Sequence, residues 1–260
     1  MKQSRSLALQ SAGIILLILI YASFALHNYQ PPPRVRASSG AHLIRSGGVT
    51  SYCFEPEHAQ HHGEPLPVLI CIGNDYFQPD RIAPFVHQLG EPVILIWCGL
   101  LTNLPDDTQV DDPVVWEKKR SQFKDLLKRY QEIPGFDIDE NRIYLTGFSF
   151  TGASAWMLAY DDPQRYAGVV VMSAVCYPKQ IQERLEPAKT LPTVVVRGEK
   201  DKLFMLRRAD EERTGRTIES LNPASRFIIK PGEGHSELTN YWAENLKYIL
   251  QFKRGESSSK

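Results

Sequence analysis

Net charge is the first thing this chain lacks. Thirty basic residues balance 30 acidic ones, so the formal charge at pH 7 is zero. Nothing in that balance draws in a polyanion, which excludes nucleic acid as an expected partner. Cysteine is scarce too, with 4 in 260 residues, and no C-x-x-C spacing points to zinc or thiol redox chemistry. No repeat and no long low-complexity tract is present, so neither a repeat array nor a largely disordered chain is expected. His58, His61 and His62 lie in a polar stretch without helical framing and read as a solvated loop, not a metal site. Asp137-x-Asp139-x-Asn141 imitates the start of a calcium loop, but Arg142 stands where the loop needs glycine, so a turn is expected. Neither a metal nor an organic cofactor is implied.

What remains is an ordinary globular composition, 42% apolar, plus one long hydrophobic run. Leu7 to Leu26, broken by Gln10, Ser11 and Ser23, has roughly the 20 residues that cross a bilayer. An uncleaved anchor is the first expectation, and Lys2 and Arg5 favour its N-terminus inside, although Arg34 and Arg36 weaken that bias. Ser23-Phe24-Ala25 also fits a signal-peptide cleavage site. Either reading puts the remainder outside the cytoplasm, membrane-anchored or secreted. The expected organisation is an anchor or signal over 1–27, a Pro-rich then Ser/Gly-rich linker over 28–40, one folded domain over 41–253, and a frayed tail over 254–260.

Within the domain, His42–Arg45 and Thr50–Phe54 flank Ser46-Gly47-Gly48 as a β-hairpin. Val68–Ile72 and Val93–Trp97 are unbroken apolar runs, as strands covered on both faces must be. Pro79–Leu89 between them has helical spacing. Asp112-Pro113 opens a helix carrying Trp116, Phe123, Leu126, Leu127 and Tyr130 on one face. Strands at 141–146, 169–172, 191–196 and 226–230 alternate with helices at 205–221 and 237–252, so the expected class is α/β with a mostly parallel sheet. Only about 17 residues separate Ser173 from Pro192, too few for a cap domain over the site. Cys71, Cys98 and Cys176 sit in or just after apolar strands and read as buried thiols. If a bridge forms, Cys53–Cys98 or Cys71–Cys98 is expected.

The stretch that carries chemistry is Asn141–Gly152, where a β-rich run breaks at Gly147-Phe148-Ser149 into an Ala/Met/Leu helix. A serine on a sharp strand-to-helix turn is pushed out of the backbone beside free helix N–H groups. Gly147 fits because a side chain there would crowd the turn. The alternative role for Ser149 is a helix N-cap. Asp201 and His235 follow in the order Ser…Asp…His, each just past a strand, and in a parallel sheet those ends share one edge. His235 can take the serine proton near neutral pH, and Asp201 can orient it; Glu199 competes for that place. The amides of Phe150 and of Asn74, after the third strand, are the candidate oxyanion donors, with Asp75 the alternative to Asn74. Asp106, Asp107, Asp111 and Asp112 read as a solvated loop leading into a helix.

On these residues the chain resembles the α/β-hydrolase superfamily over roughly residues 40–253, and within it secreted carboxylesterases, polyester-depolymerase-like esterases and dienelactone-hydrolase-like predicted peptidases. The resemblance implies an α/β-hydrolase fold with an N-terminal antiparallel hairpin and helices on both faces. It also implies a serine hydrolase acting on small-molecule or polymeric carboxylic esters through a Ser149–His235–Asp201 triad. A serine peptidase, a thioesterase, or a non-catalytic binding protein displayed on a membrane are the alternatives. Three positions depart from the commoner pattern: Thr151 replaces glycine, Ile72 stands where a histidine often precedes Gly73, and Arg197 where one often precedes Gly198. None removes a triad member. Thr151 is expected either to push the helix outward or to reshape its seat, moving the Phe150 amide.

Overall fold

Apolar runs with no polar alternation can be buried only between two layers of helix, and one eight-stranded sheet provides that place. The computed structural model describes residues 41–46, 48–54, 64–74, 79–101, 112–132, 137–174, 178–202 and 208–255. The hydrophobic run Leu7–Leu26, His58, His61, His62, Asp75, Asp106, Asp107, Asp111 and Cys176 lie outside them. Among the described residues no helix is long and apolar enough to cross a membrane.

The hairpin forms as expected, with β1 (Ala41–Ser46) antiparallel to β2 (Val49–Phe54) around Gly48 at φ +82°. β3 (Leu66–Ile72) follows, then α1 (Pro79–Val86), β4 (Ile94–Cys98) and α2 (Pro113–Gln131). β5 (Ile138–Phe148) leads into α3 (Phe150–Asp161), and β6 (Gly168–Met172) into the short helices α4 (Pro178–Gln182) and α5 (Leu185–Ala188). β7 (Thr193–Gly198), α6 (Arg208–Leu221), β8 (Arg226–Lys230), a 3₁₀ turn (Ser236–Tyr241) and α7 (Trp242–Ile249) complete the order. The strands lie in the order β1-β2-β4-β3-β5-β6-β7-β8, antiparallel from β1 to β4 and parallel thereafter.

Alternate strand residues feed two cores. Val68, Ile70 and Ile72 join Trp116, Phe123 and Trp156 on one face; Leu69 and Cys71 join Trp97, Ile82 and Trp242 on the other. The five residues expected on one face of α2 are all buried, and Asp112 caps that helix by accepting from Val114 N at 2.8 Å, a contact worth about 1 kcal/mol. The helix expected at 79–89 stops earlier, because Gln88 and Leu89 close i→i+3 turns ahead of Gly90 at φ +84°. The helix expected at 237–252 is split. Ser236, Thr239 and Asn240 are poor helix formers and the Thr239 hydroxyl donates back to Ser236 O, so the first turns wind as 3₁₀.

Cys53, Cys71 and Cys98 are all buried. Sheet parity forbids one of the two expected bridges outright: Cys71 and Cys98 point into opposite cores. Cys53 shares a core with Cys98 but stands opposite Ile96, two residues along, which is too far for a disulfide. Burial pushes the Cys98 thiol up to about 12 and raises Cys71 as well, so neither is a nucleophile at neutral pH. Asp139 of the calcium-like triplet spends one carboxylate oxygen on the Asn141 N–H at 2.9 Å.

Candidate active site

Each parallel strand passes its chain end to the neighbour by one further backbone bond. Ser149 N donates to Met172 O of β6 at 2.9 Å, Ser173 N to Val196 O of β7 at 2.8 Å, and Glu199 N to Lys230 O of β8 at 3.0 Å. The residues just past β5, β6 and β7 therefore stand side by side at the carboxyl edge, where α/β sheets bind ligands.

Ser149 takes φ 57°, ψ −126°, a region that side-chain-bearing residues avoid at a cost of about 1–3 kcal/mol. It makes no side-chain cap bond to α3, so the N-cap role is not the one it plays. Gly147 is required by the same turn: a Cβ there would lie 2.3 Å from the Thr151 carbonyl oxygen and 2.7 Å from Gly152 N. Thr151 is fully buried, and its hydroxyl accepts from Phe148 N at 2.9 Å and donates to Phe148 O at 2.8 Å. The departure from glycine thus fills its seat and staples the strand end to the first helical turn. Gly152 makes the close approach instead, where a Cβ would stand 3.0 Å from Gly147 O and 3.1 Å from the Ala174 methyl. Thr151→Val keeps the volume and removes both bonds. It is expected to cost about 1–3 kcal/mol in urea unfolding and to lower turnover, with Thr151→Ser close to the parent. A valine variant as stable as the parent would show that the staple does nothing.

Asp201 is buried at 3% exposure, and its Oδ2 lies 2.8 Å from His235 Nδ1. Glu199, the competitor, is exposed and accepts from Gly232 N at 2.8 Å, bracing the loop that carries the histidine. Lys200 N donates to Glu233 O at 2.8 Å across the same gap. Gly198 allows this contact, since a Cβ there would sit 2.4 Å from Gly234 O. The Phe148 ring packs on the His235 imidazole at 4.8 Å between centroids, with Trp242 behind it at 6.3 Å.

Ser173 was not among the residues expected from the sequence. Its Oγ is 2.8 Å from His235 Nδ1 and donates to Asp201 Oδ2, and the residue is buried with φ 47°. The available signal was a serine closing the apolar strand next to that of Ser149.

Two further chain ends flank the serine. Gly73, held by its N–H to Cys98 O at 2.7 Å, follows β3, which pairs with β5; a Cβ there would overlap the Trp97 indole at 2.1 Å. Asn74 comes next and is half-buried, while Phe150 opens α3 and is 47% exposed. Their amides thus belong to the ends of neighbouring strands. Ile72 is part of the core beside Trp156, and Arg197 forms a buried ion pair with Glu211 of α6. With side-chain exposures of 3% and 1%, that pair braces β7 just before the Asp201 loop. Among the described residues no group of His, Cys, Asp and Glu could hold a metal ion.

A serine, a histidine bonded to a buried carboxylate, and amides at two adjoining strand ends are the parts that acyl transfer requires. Comparison with known proteins identifies the family and the fold. The model of a family described as phospholipase/carboxylesterase matches residues 76–252. A thermostable esterase superposes with a TM-score of 0.63 at 16% identity, over 82% of this chain and 62% of its own. A ferulic acid esterase gives 0.59 at 14% identity, over 81% of this chain and 96% of its own. An S-formylglutathione hydrolase from Agrobacterium tumefaciens gives 0.56 at 15%, over 81% and 93%. At such identities the likeness is one of fold, and the fold is that of the α/β-hydrolases. No curated protein matches the chain.

Proposed function

We propose that this chain, which belongs to the phospholipase/carboxylesterase family, is a serine hydrolase that cleaves carboxylic esters through an acyl-enzyme. The observation that carries the proposal is the His235–Asp201 bond of 2.8 Å, at the sheet edge where Ser149 occupies its strained elbow. A serine hydroxyl is a weak nucleophile at neutral pH and needs a base. In the proposed cycle Ser149 Oγ attacks the acyl carbon while its proton passes to His235 Nε2. Asp201 holds the ring and stabilises the imidazolium. The Phe150 and Asn74 amides receive the oxyanion, a contribution of about 2.7–4 kcal/mol per well-placed donor. His235 returns the proton to the departing alcohol, then activates the water that frees the acid and restores Ser149. Between β6 and β7 the described residues form only the short helices α4 and α5, which favours an open cleft able to take bulky or polymeric esters.

A panel of matched acyl esters, thioesters and peptides tests this on the full-length chain. Esters should be turned over with the highest kcat/KM. Preferred cleavage of the thioesters or peptides would replace the ester assignment, and binding of all three without turnover would leave a receptor rather than an enzyme.

A further inference from the structure

Helix α3 is buried almost throughout. Every residue from Thr151 to Tyr160 is buried, and of the 12 in the helix only Phe150, the first, is exposed. Its exposure is 47%, and it is an aromatic residue. The other exposed large hydrophobics among the described residues, Leu43, Val114 and Leu221, are aliphatic and lie on β1, α2 and α6. A single apolar side chain on an open surface calls for no explanation. This one directly follows Ser149, and that position gives its exposure a meaning.

Two constraints put the ring beside the nucleophile. The Cα atoms of Ser149 and Phe150 are about 3.8 Å apart across a trans peptide, and the ring is one methylene from its own Cα. Helical Cα–Cβ bonds tilt toward the helix N-terminus, so Phe150 leans back toward the carboxyl edge of the sheet rather than down α3. The backbone cannot readily turn it away. The Thr151 hydroxyl fixes the first turn through Phe148 N at 2.9 Å and Phe148 O at 2.8 Å, and Ser154 Oγ donates to Phe150 O at 3.3 Å. The ring therefore borders the space that an ester on Ser149 must occupy.

We propose that Phe150 is a specificity-determining residue, its ring the apolar wall on which the site takes esters that carry an aromatic group beside the scissile bond. The inference rests on the serine-hydrolase reading and narrows it to a substrate class. One residue then has two roles: its amide faces the oxyanion and its ring faces the substituent. An aromatic substituent covers a flat ring and gains from offset or edge-to-face packing. A methyl group reaches little of that surface and leaves it in water. The contact is made to the substituent and not to the reacting carbonyl, so it is the same in the bound ester and the transition state. Such uniform binding shows in KM rather than in kcat.

The test measures hydrolysis of ethyl acetate, ethyl benzoate and benzyl acetate by the full-length parent, Phe150→Ala and Phe150→Tyr. For each protein, kcat/KM for either aromatic ester is divided by that for ethyl acetate. Comparing these ratios between proteins cancels the intrinsic reactivity of the esters and any change at the amide that acts on all three alike. Phe150→Ala should lower the ratio about tenfold for at least one aromatic ester, with the loss in KM. Phe150→Tyr keeps the ring and should keep the parent's ratios. A fall with ethyl benzoate places the aromatic group on the acyl side, and a fall with benzyl acetate places it on the alcohol side. Unchanged ratios in folded Phe150→Ala overturn the inference, as does a parent that hydrolyses only ethyl acetate. An equal loss on all three esters also overturns it, because the effect would then lie at the oxyanion amide. If the parent hydrolyses none of them and takes no fluorophosphonate on Ser149, the serine-hydrolase reading fails and the inference falls with it.

Discussion

Alanine at Ser149 or at His235 is expected to abolish ester turnover by roughly 10⁴- to 10⁶-fold, with the double variant hardly worse than either single one. In the proposed cycle Ser149 and His235 serve one step, so removing either removes that step. What remains is the catalysis supplied by oxyanion donors and substrate binding. Neither change should unfold the domain. Ser149 already holds its Cβ at φ 57°, so alanine adds no strain, and its side chain makes no cap bond that could be lost. His235 lies on a loop and is only partly buried, and the Asp201 carboxylate that it bonds keeps the hydrogen bond from Ser173 when the imidazole is removed. Initial rates with the best ester, alongside urea unfolding of each variant, measure both parts. Losses that multiplied in the double variant would mean that the two residues act in separate steps.

The largest expected effect on stability comes from Arg197. Its guanidinium and the Glu211 carboxylate are both removed from water, and each is the other's countercharge. Breaking the pair with Glu211→Ala leaves a buried cation and is expected to cost about 3–5 kcal/mol. Arg197→Met with Glu211→Leu removes both charges and should recover most of that loss. Because Arg197 lies four residues before Asp201, the single variant should also lose activity at denaturant concentrations where the parent is still folded. A single variant within about 0.5 kcal/mol of the parent would contradict this account, since surface changes rarely exceed that value.

Features written in local rules were legible before any coordinates. Asp112-Pro113 and the spacing from Trp116 to Tyr130 specify a cap, a first turn and one apolar face, and all of them appear. The β-hairpin and the placing of Ser149, Asp201 and His235 past strand ends follow the same logic. What could not be read depended on the third dimension. β4 lies outside β3, beside the hairpin, because a crossover sets that order rather than any residue pattern. Cys71 and Cys98 were a plausible pair until the sheet put them on opposite faces. Glu199 competes with Asp201 in the sequence, where only the spacing after Gly198 favours the aspartate. Burial separates them, placing one on the surface bracing Gly232 and the other against His235. Thr151 read as an intrusion because only its bulk was visible; its hydroxyl, bonded to both backbone groups of Phe148, accounts for it. Ser173 was missed for a related reason. Its position at the end of β6 is ordinary, and its left-handed φ is a property of the fold alone.

The central claim is that Ser149 is a nucleophile activated by its surroundings. The most direct measurement is peptide mass mapping of the folded full-length protein after reaction with a fluorophosphonate. The account predicts a single phosphonyl adduct, located on Ser149, together with complete loss of ester turnover. It also predicts that no adduct forms in Ser149→Ala or after the protein is unfolded in urea. An adduct on another residue, or none on folded protein that still hydrolyses esters, would contradict it.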